Sequence, residues 1–264
     1  YFINNGEDRL HLAASDDGYH WNTLNQGRSL ITPEIGKEKL MRDPDITRGP
    51  DGVFHMVWTC GWYEKGIGYA SSKDLINWSE QQYLPVMEHE PLAKNCWAPE
   101  ITYNPGDKKF IIYWSTTIPG RFPETDSSSE DSNNHRIYYV TTNDFSDFSE
   151  TALLYNKGFN VIDASIYPYD KGWFMLLKNE TLEPAEKNLR IAFSEGPTGP
   201  FSGPSEPITG EYWAEGPTAL CIDVKWIVYF DKYRQGAFGA VQSDDLKNWK
   251  DISDQVSFPE GIRH

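Results

Sequence analysis

Four dense apolar runs punctuate the chain: VFHMVWT (53–59), KFIIYWST (109–116), WFMLLKNE (173–180) and KWIVYFDKY (225–233). Each has strand length and is rich in the β-branched and aromatic residues that suit a pleated surface. A turn precedes each one: GPDG, NPGDK, YDKG and the weaker IDV. Before each turn lies a further short segment: RDPDITR (42–48), WAPEITY (97–103), VIDASIY (161–167) and EGPTALC (215–221). No long run keeps apolar residues at i, i+3, i+4 and i+7, so helix is scarce.

A fourth feature recurs after these runs, in which a short strand is followed by Ser or Thr, a polar residue and then an aromatic. Five copies end at Trp21, Trp78, Phe148, Phe201 and Trp249. Their spacing, about 48 to 70 residues, is the size of one four-stranded propeller blade with variable loops. Each unit therefore reads as inner strand, turn, middle strand, third strand and outer strand. YFINN at the start resembles a middle strand and GIRH at the end an inner strand. Joining them predicts an all-β, five-bladed β-propeller whose fifth blade is closed by strands from both termini, a single domain over residues 1–264. A β-sandwich, or two small β domains, is the competing arrangement. The chain is expected to be trimmed at both ends, and the segment 124–134, ETDSSSEDSNN, is expected to be a solvated insertion.

Composition agrees with many short strands, since aromatics make up 14% of the 264 residues and 21 Gly and 17 Pro supply turns. The net charge of −15 argues against a nucleic-acid partner, which needs clustered Lys and Arg. Three scattered cysteines signal neither a disulfide framework nor a zinc site. No stretch approaches the apolar length that spans a bilayer, so no membrane partner is expected.

In a propeller the inner strands begin around the central axis, so their first residues converge. Here those starts supply Asp43, Glu100, Asp163, Glu215 and His264. Singly, Asp-Pro or Glu-Gly-Pro is an ordinary turn sequence. Together, several acids at the centre of one ring carry repulsion and desolvation that stability alone would avoid. Such a cluster binds a hard cation or performs acid and base work on a polyhydroxylated substrate. For glycoside hydrolysis one acid donates a proton, a second carboxylate activates water, and a third, Asp163, raises the donor's pKa.

The ordered set RDPDI, WAPEI, IDAS, EGP and RH resembles glycoside hydrolase family 43, five-bladed propellers of the arabinofuranosidase and xylosidase type, over nearly the whole chain. The resemblance implies that Asp43 is the general base, Asp163 the pKa modulator and Glu215 the general acid of an inverting hydrolase. His264 matches a position near the axis that touches a water or a calcium ion, so a structural calcium is a candidate although no cofactor is required. The implied reaction removes a terminal pentose, α-L-arabinofuranose first, from an oligosaccharide or plant polysaccharide side chain. β-Xylosidase and galactosyl or galactofuranosyl hydrolase are the alternatives within the family.

Sugar binding calls for an aromatic platform and hydrogen-bonding partners. Trp62, Trp97, Glu100, Arg121 and Phe122 are the candidates, with Lys178 and Glu180 alongside. Core packing is the ordinary role for Trp97, and outer salt bridges are the ordinary role for Arg121, Lys178 and Glu180. A retaining fructan-type hydrolase is the first rival reading, although Glu215 is followed by Gly216 and not by Cys. A non-catalytic sugar-binding propeller is the second. The expected protein is a monomer, periplasmic or secreted.

Overall fold

The computed structural model describes residues 1–7, 9–128 and 130–264. In chain order its strands are β1 (Phe2–Ile3), β2 (Ala13–Ala14), β3 (Asn22–Thr23), β4 (Arg42–Arg48), β5 (Phe54–Thr59), β6 (Ile67–Ser72), β7 (Gln82–Leu84), β8 (Trp97–Asn104), β9 (Lys109–Thr117), β10 (His135–Thr142), β11 (Ala152–Tyr155), β12 (Val161–Tyr169), β13 (Gly172–Asn179), β14 (Asn188–Ser194), β15 (Glu215–Ile222), β16 (Lys225–Lys232), β17 (Ala237–Ser243), β18 (Lys250–Asp251) and β19 (Ile262–Arg263). Strands β4 to β7, β8 to β11, β12 to β14 and β15 to β18 form four antiparallel sheets, each in sequence order. These are four propeller blades, with the apolar runs as their middle strands.

The expected fifth blade is not formed. The termini make two separate two-stranded ladders, β1 with β19 and β2 with β3, in place of one four-stranded sheet. One reciprocal backbone pair between Tyr1 and His11 links them. The physical reason lies in the first forty residues, where no apolar run matches VFHMVWT and the polar stretch NNGEDR follows the first strand. Paired strands of two residues bury too little surface to make a blade.

Every inner strand carries the same irregularity. Its ladder skips two residues: between Arg42 and Asp45 in β4, Trp97 and Glu100 in β8, Ile162 and Ser165 in β12, and Glu215 and Thr218 in β15. The first skipped residue has positive φ each time: Asp43 (49°), Ala98 (45°), Asp163 (52°) and Gly216 (56°). Bulges of this kind re-aim side chains, and left-handed backbone at a residue other than Gly stores of order 1 kcal/mol or more.

Side chains then stitch blade to blade. The N–H of Ile101 donates to Asp45 Oδ2 at 2.8 Å, that of Ile166 to the Tyr113 hydroxyl at 2.9 Å and that of Ala219 to the Tyr167 hydroxyl at 2.9 Å. Apolar clusters fill the gaps between neighbouring sheets, with Val57, Ile112 and Trp114 between the first two and Phe174, Val228 and Phe230 between the last two. The recurring Ser/Thr motif is a local turn: in Ser72–Trp78 the Ser72 hydroxyl accepts the Leu75 N–H while Asp74 accepts those of Ile76 and Asn77. Ser15–Trp21 and Ser243–Trp249 repeat the pattern. The polar segment 124–134 includes two short 3-10 turns, and its Ser129 lies outside the described residues.

Candidate active site

The bulges decide which acids meet. Asp43 and Asp163 occupy the same bulge position in their blades as Ala98 and Gly216 do in theirs. Glu215 stands one residue before that position and Glu100 two after it, so the five sequence-predicted starts do not share one register. Asp45, Glu100, Ser165 and Thr218 form their own layer deeper along the axis.

Asp43 is held from within its own blade, and Asp163 and Glu215 from neighbouring elements. Asp43 accepts a hydrogen bond from the Thr59 hydroxyl at 2.7 Å, and the same hydroxyl accepts the Ala98 N–H at 2.9 Å. Asp163 accepts the Gly216 N–H at 3.0 Å. Glu215 lies between two cations, with Lys178 Nζ 3.1 Å from one oxygen and Arg263 Nη2 3.2 Å from the other. Arg263 also reaches Asp231 through Nε at 2.6 Å, and Asp231 pairs with Glu215 across the β15–β16 ladder. Lys178, nearly fully buried, continues the row to Glu180 at 2.6 Å, which pairs in turn with Lys187.

His264 lies at the centre. Its Nε2 is 3.7 Å from Asp43 and 4.0 Å from Asp163, and its Nδ1 is 3.9 Å from both Glu215 and Asp231. Gly216 makes room for it, because a Cβ there would overlap the imidazole. Asp43 and Glu215 thus face opposite nitrogens of one ring.

Charge follows burial and neighbours. Burial pushes Asp163 up to about 6, with His264 and Lys178 opposing and Glu215 and Asp43 adding to the rise. Burial also acts to raise Glu215, but Lys178 and His264 outweigh it and leave this carboxyl below its usual range. Burial opposes charge on His264, yet the surrounding Asp231, Glu215, Asp163 and Asp43 win and lift it to about 9. Lys178 is held firmly charged, its desolvation outweighed by Glu215, Glu180 and Asp163. In the deeper layer burial raises Asp45 to about 6 and Glu100 well above the carboxylate range, Asp45 adding to the latter.

A cavity of about 320 Å³ borders Asp43, Asp163, Gly216 and His264 on the axis side and Trp21, Tyr229 and Phe258 on the side of the terminal ladders. A second, of about 480 Å³, opens at the other end of the bore. Asp45 and Glu100 line both.

The remaining sequence candidates separate. Trp62 and Trp97 meet edge to face at 5.5 Å, Trp97 donates to the Trp62 carbonyl, and Arg42 stacks over Trp62 at 4.5 Å. Because Arg42 immediately precedes Asp43, this aromatic corner adjoins the carboxylates. Arg121 instead pairs with Glu90, and Phe122 lies 4.3 Å under the buried Arg136 guanidinium. Glu100 accepts the Tyr113 hydroxyl at 3.1 Å inside the bore. Asp231 and Arg42 escaped the sequence reading, and Lys178 was weighed there as an outer salt bridge. Their signal was a charged residue at the end of, or just before, an apolar strand, where the chain reaches the mouth.

Glu215, Asp231 and His264 offer ligand atoms within 4.8 Å of one another. Calcium takes six to eight oxygens. Here Arg263 bridges both carboxylates, Lys178 holds the second oxygen of Glu215, and the third donor is an imidazole. This donor set does not fit a calcium ion.

A propeller that gathers three carboxylates from three blades around one partly buried histidine belongs with the carbohydrate-cleaving propellers. The profile of a family described as "Probable glycosyl hydrolase domain", related to glycosyl hydrolase family 43, matches residues 1–264. The chain belongs to this family. It is similar to an α-L-arabinofuranosidase of Bifidobacterium longum subsp. longum, 22% identical over 202 residues, 67% of this chain and 18% of that protein. The chain therefore spans about a fifth of that curated relative's length. Among solved structures it resembles an α-L-arabinofuranosidase from Lactobacillus brevis, with 19% identity, TM-score 0.64, 81% of this chain and 72% of the other. It also resembles an exo-β-1,3-galactanase from Phanerochaete chrysosporium, with 11% identity, TM-score 0.62, 81% of this chain and 50% of the other. Among the described residues no helix is long and apolar enough to cross a membrane.

Proposed function

We propose that the protein is an inverting exo-glycosidase that removes a terminal pentose, α-L-arabinofuranose, from an oligosaccharide or polysaccharide side chain. The observation that carries this reading is His264 with Asp43 on one ring nitrogen, Glu215 on the other and Asp163 beside them. Asp43, fixed by Thr59, is the general base that takes a proton from the attacking water. Glu215 is the general acid that protonates the leaving oxygen.

The flanking cations leave Glu215 ionised in the free protein, whereas a donor needs a proton. Asp163, at about 6, is the neighbouring carboxyl able to carry one in mildly acid solution. Two interacting carboxyls titrate as a pair. A glycosidic oxygen placed against Glu215 draws the shared proton toward it, and Asp163 is left ionised to keep the developing positive charge company. Paired carboxylates complete this reaction without a metal.

Arabinofuranose is favoured by the names of the Bifidobacterium longum and Lactobacillus brevis relatives. Galactosyl cleavage is the second reading, favoured by the galactanase likeness. A panel of nitrophenyl arabinofuranoside, xylopyranoside and galactofuranoside tests both, run on the wild type and on Glu215→Gln. Release from the arabinofuranoside that collapses in the variant supports the reading. Hydrolysis of none, or a variant as fast as wild type, contradicts it.

A further inference from the structure

The turn from β16 into β17, residues 233–236, stands at the mouth, because β16 runs antiparallel to β15 and its end lies opposite Glu215. Two aromatic rings meet there, Trp213 and Tyr233, with centroids 6.0 Å apart. Trp213 precedes Glu215 by two residues, and the Tyr233 ring lies 4.6 Å from the Lys178 ammonium that holds Glu215. Over these rings sits the guanidinium of Arg234, 4.6 Å from the centre of Trp213 and 5.9 Å from that of Tyr233.

Arg234 differs from the other cations of the mouth. Lys178, Lys187 and Arg263 each pair with a carboxylate of the protein, and Arg42, stacked on Phe2 and Trp62, donates to the Asn5 side-chain carbonyl. Arg234 is exposed, and among the described residues no acid pairs with it, in a chain holding 39 acidic residues against 24 basic ones. Stacking spends only the face of a guanidinium. It fixes the plane and leaves the N–H donors at its edge free, in the fork that matches a planar carboxylate.

We propose that Arg234, braced by Trp213 and Tyr233, forms a subsite beside Glu215 for the carboxylate of a uronic acid residue in the substrate. This rests on the reading of the site as a glycosidase. The subsite takes the leaving-group side, since it adjoins the residue that protonates the leaving oxygen. It favours acidic side-chain-bearing polysaccharides over neutral ones, against the unfavourable net charge of the protein.

The test is calorimetric titration with methyl glucuronoside and methyl glucoside, which differ at one carbon, on the wild type, Arg234→Gln and Arg234→Lys. A charge-assisted bidentate contact predicts about tenfold or more tighter binding of the glucuronoside by the wild type. The preference vanishes in Arg234→Gln and is only partly kept in Arg234→Lys, which lacks the fork. Near-ultraviolet circular dichroism verifies that the variants are folded. Equal affinities in the wild type, or an unchanged preference in folded Arg234→Gln, overturn the proposal. Binding is read without hydrolysis, so an inactive nitrophenyl panel contradicts the glycosidase reading separately.

Discussion

Lys178 places its ammonium 3.1 Å from Glu215 and 2.6 Å from Glu180, so one buried cation serves two partly buried carboxylates. Removing it changes both chemistry and stability. Lys178→Met is expected to raise the pKa of Glu215, since the nearby positive charge that holds this carboxyl down is removed. The alkaline limb of kcat/KM against pH moves up accordingly. The same variant leaves Glu215 to Arg263 alone and Glu180 to Lys187 alone, and is expected to lose about 1–3 kcal/mol in urea unfolding. An unmoved pH profile in folded Lys178→Met would show that the contact has no influence on the acid.

His264 sets a pH dependence of stability. Its folded pKa, about 9, lies above its ordinary value of 6.5, so its contribution is fully present below pH 6.5 and is lost as pH rises through 9. That contribution is of order 3 kcal/mol. Unfolding free energy measured between pH 6 and 9.5 is expected to decline in the wild type and to decline less in His264→Gln. Asp163 acts in the same sense within its own, lower window. Its raised pKa makes the folded protein hold a proton more tightly, so its ionisation weakens the fold as pH rises from about 4 to 6.

Gly216→Ala is expected to abolish activity. The added Cβ would overlap the His264 ring and impose a side chain at φ 56°. Backbone strain alone is of order 1–3 kcal/mol, read as a lower thermal midpoint. A fully active Gly216→Ala enzyme would mean that the imidazole is free to leave the cluster without consequence.

Thr59→Val removes one hydroxyl that both donates to Asp43 and accepts from Ala98. An orphaned buried N–H costs about 1–3 kcal/mol. With the base no longer fixed, kcat is expected to fall about tenfold or more while KM changes little. A loss confined to KM would place Thr59 in substrate binding instead.

Much of this was legible in the sequence because it is local. The Ser/Thr turns close their hydrogen bonds within a few residues, as Ser72 and Asp74 do with Leu75, Ile76 and Asn77, and so they print a repeating signature. Asp43, Asp163 and His264 were found because inner strands start at the axis. Register was not legible, since a bulge adds residues without altering composition, and this is why Glu100 falls into the bore while Glu215 stays at the mouth. The row of Lys178, Arg263 and Asp231 arises from pairings across blades up to fifty residues apart. The blade count failed where strands of two residues carry no periodic pattern at all.

The opposed placement of Asp43 and Glu215 is tested most directly by proton NMR of the first sugar anomer released from the hydrolysed glycoside, recorded before mutarotation mixes the forms. Direct attack of an Asp43-activated water predicts a product of inverted configuration. A first-formed product that retains the substrate's configuration would require a covalent intermediate and would contradict the assignment of Asp43 as base.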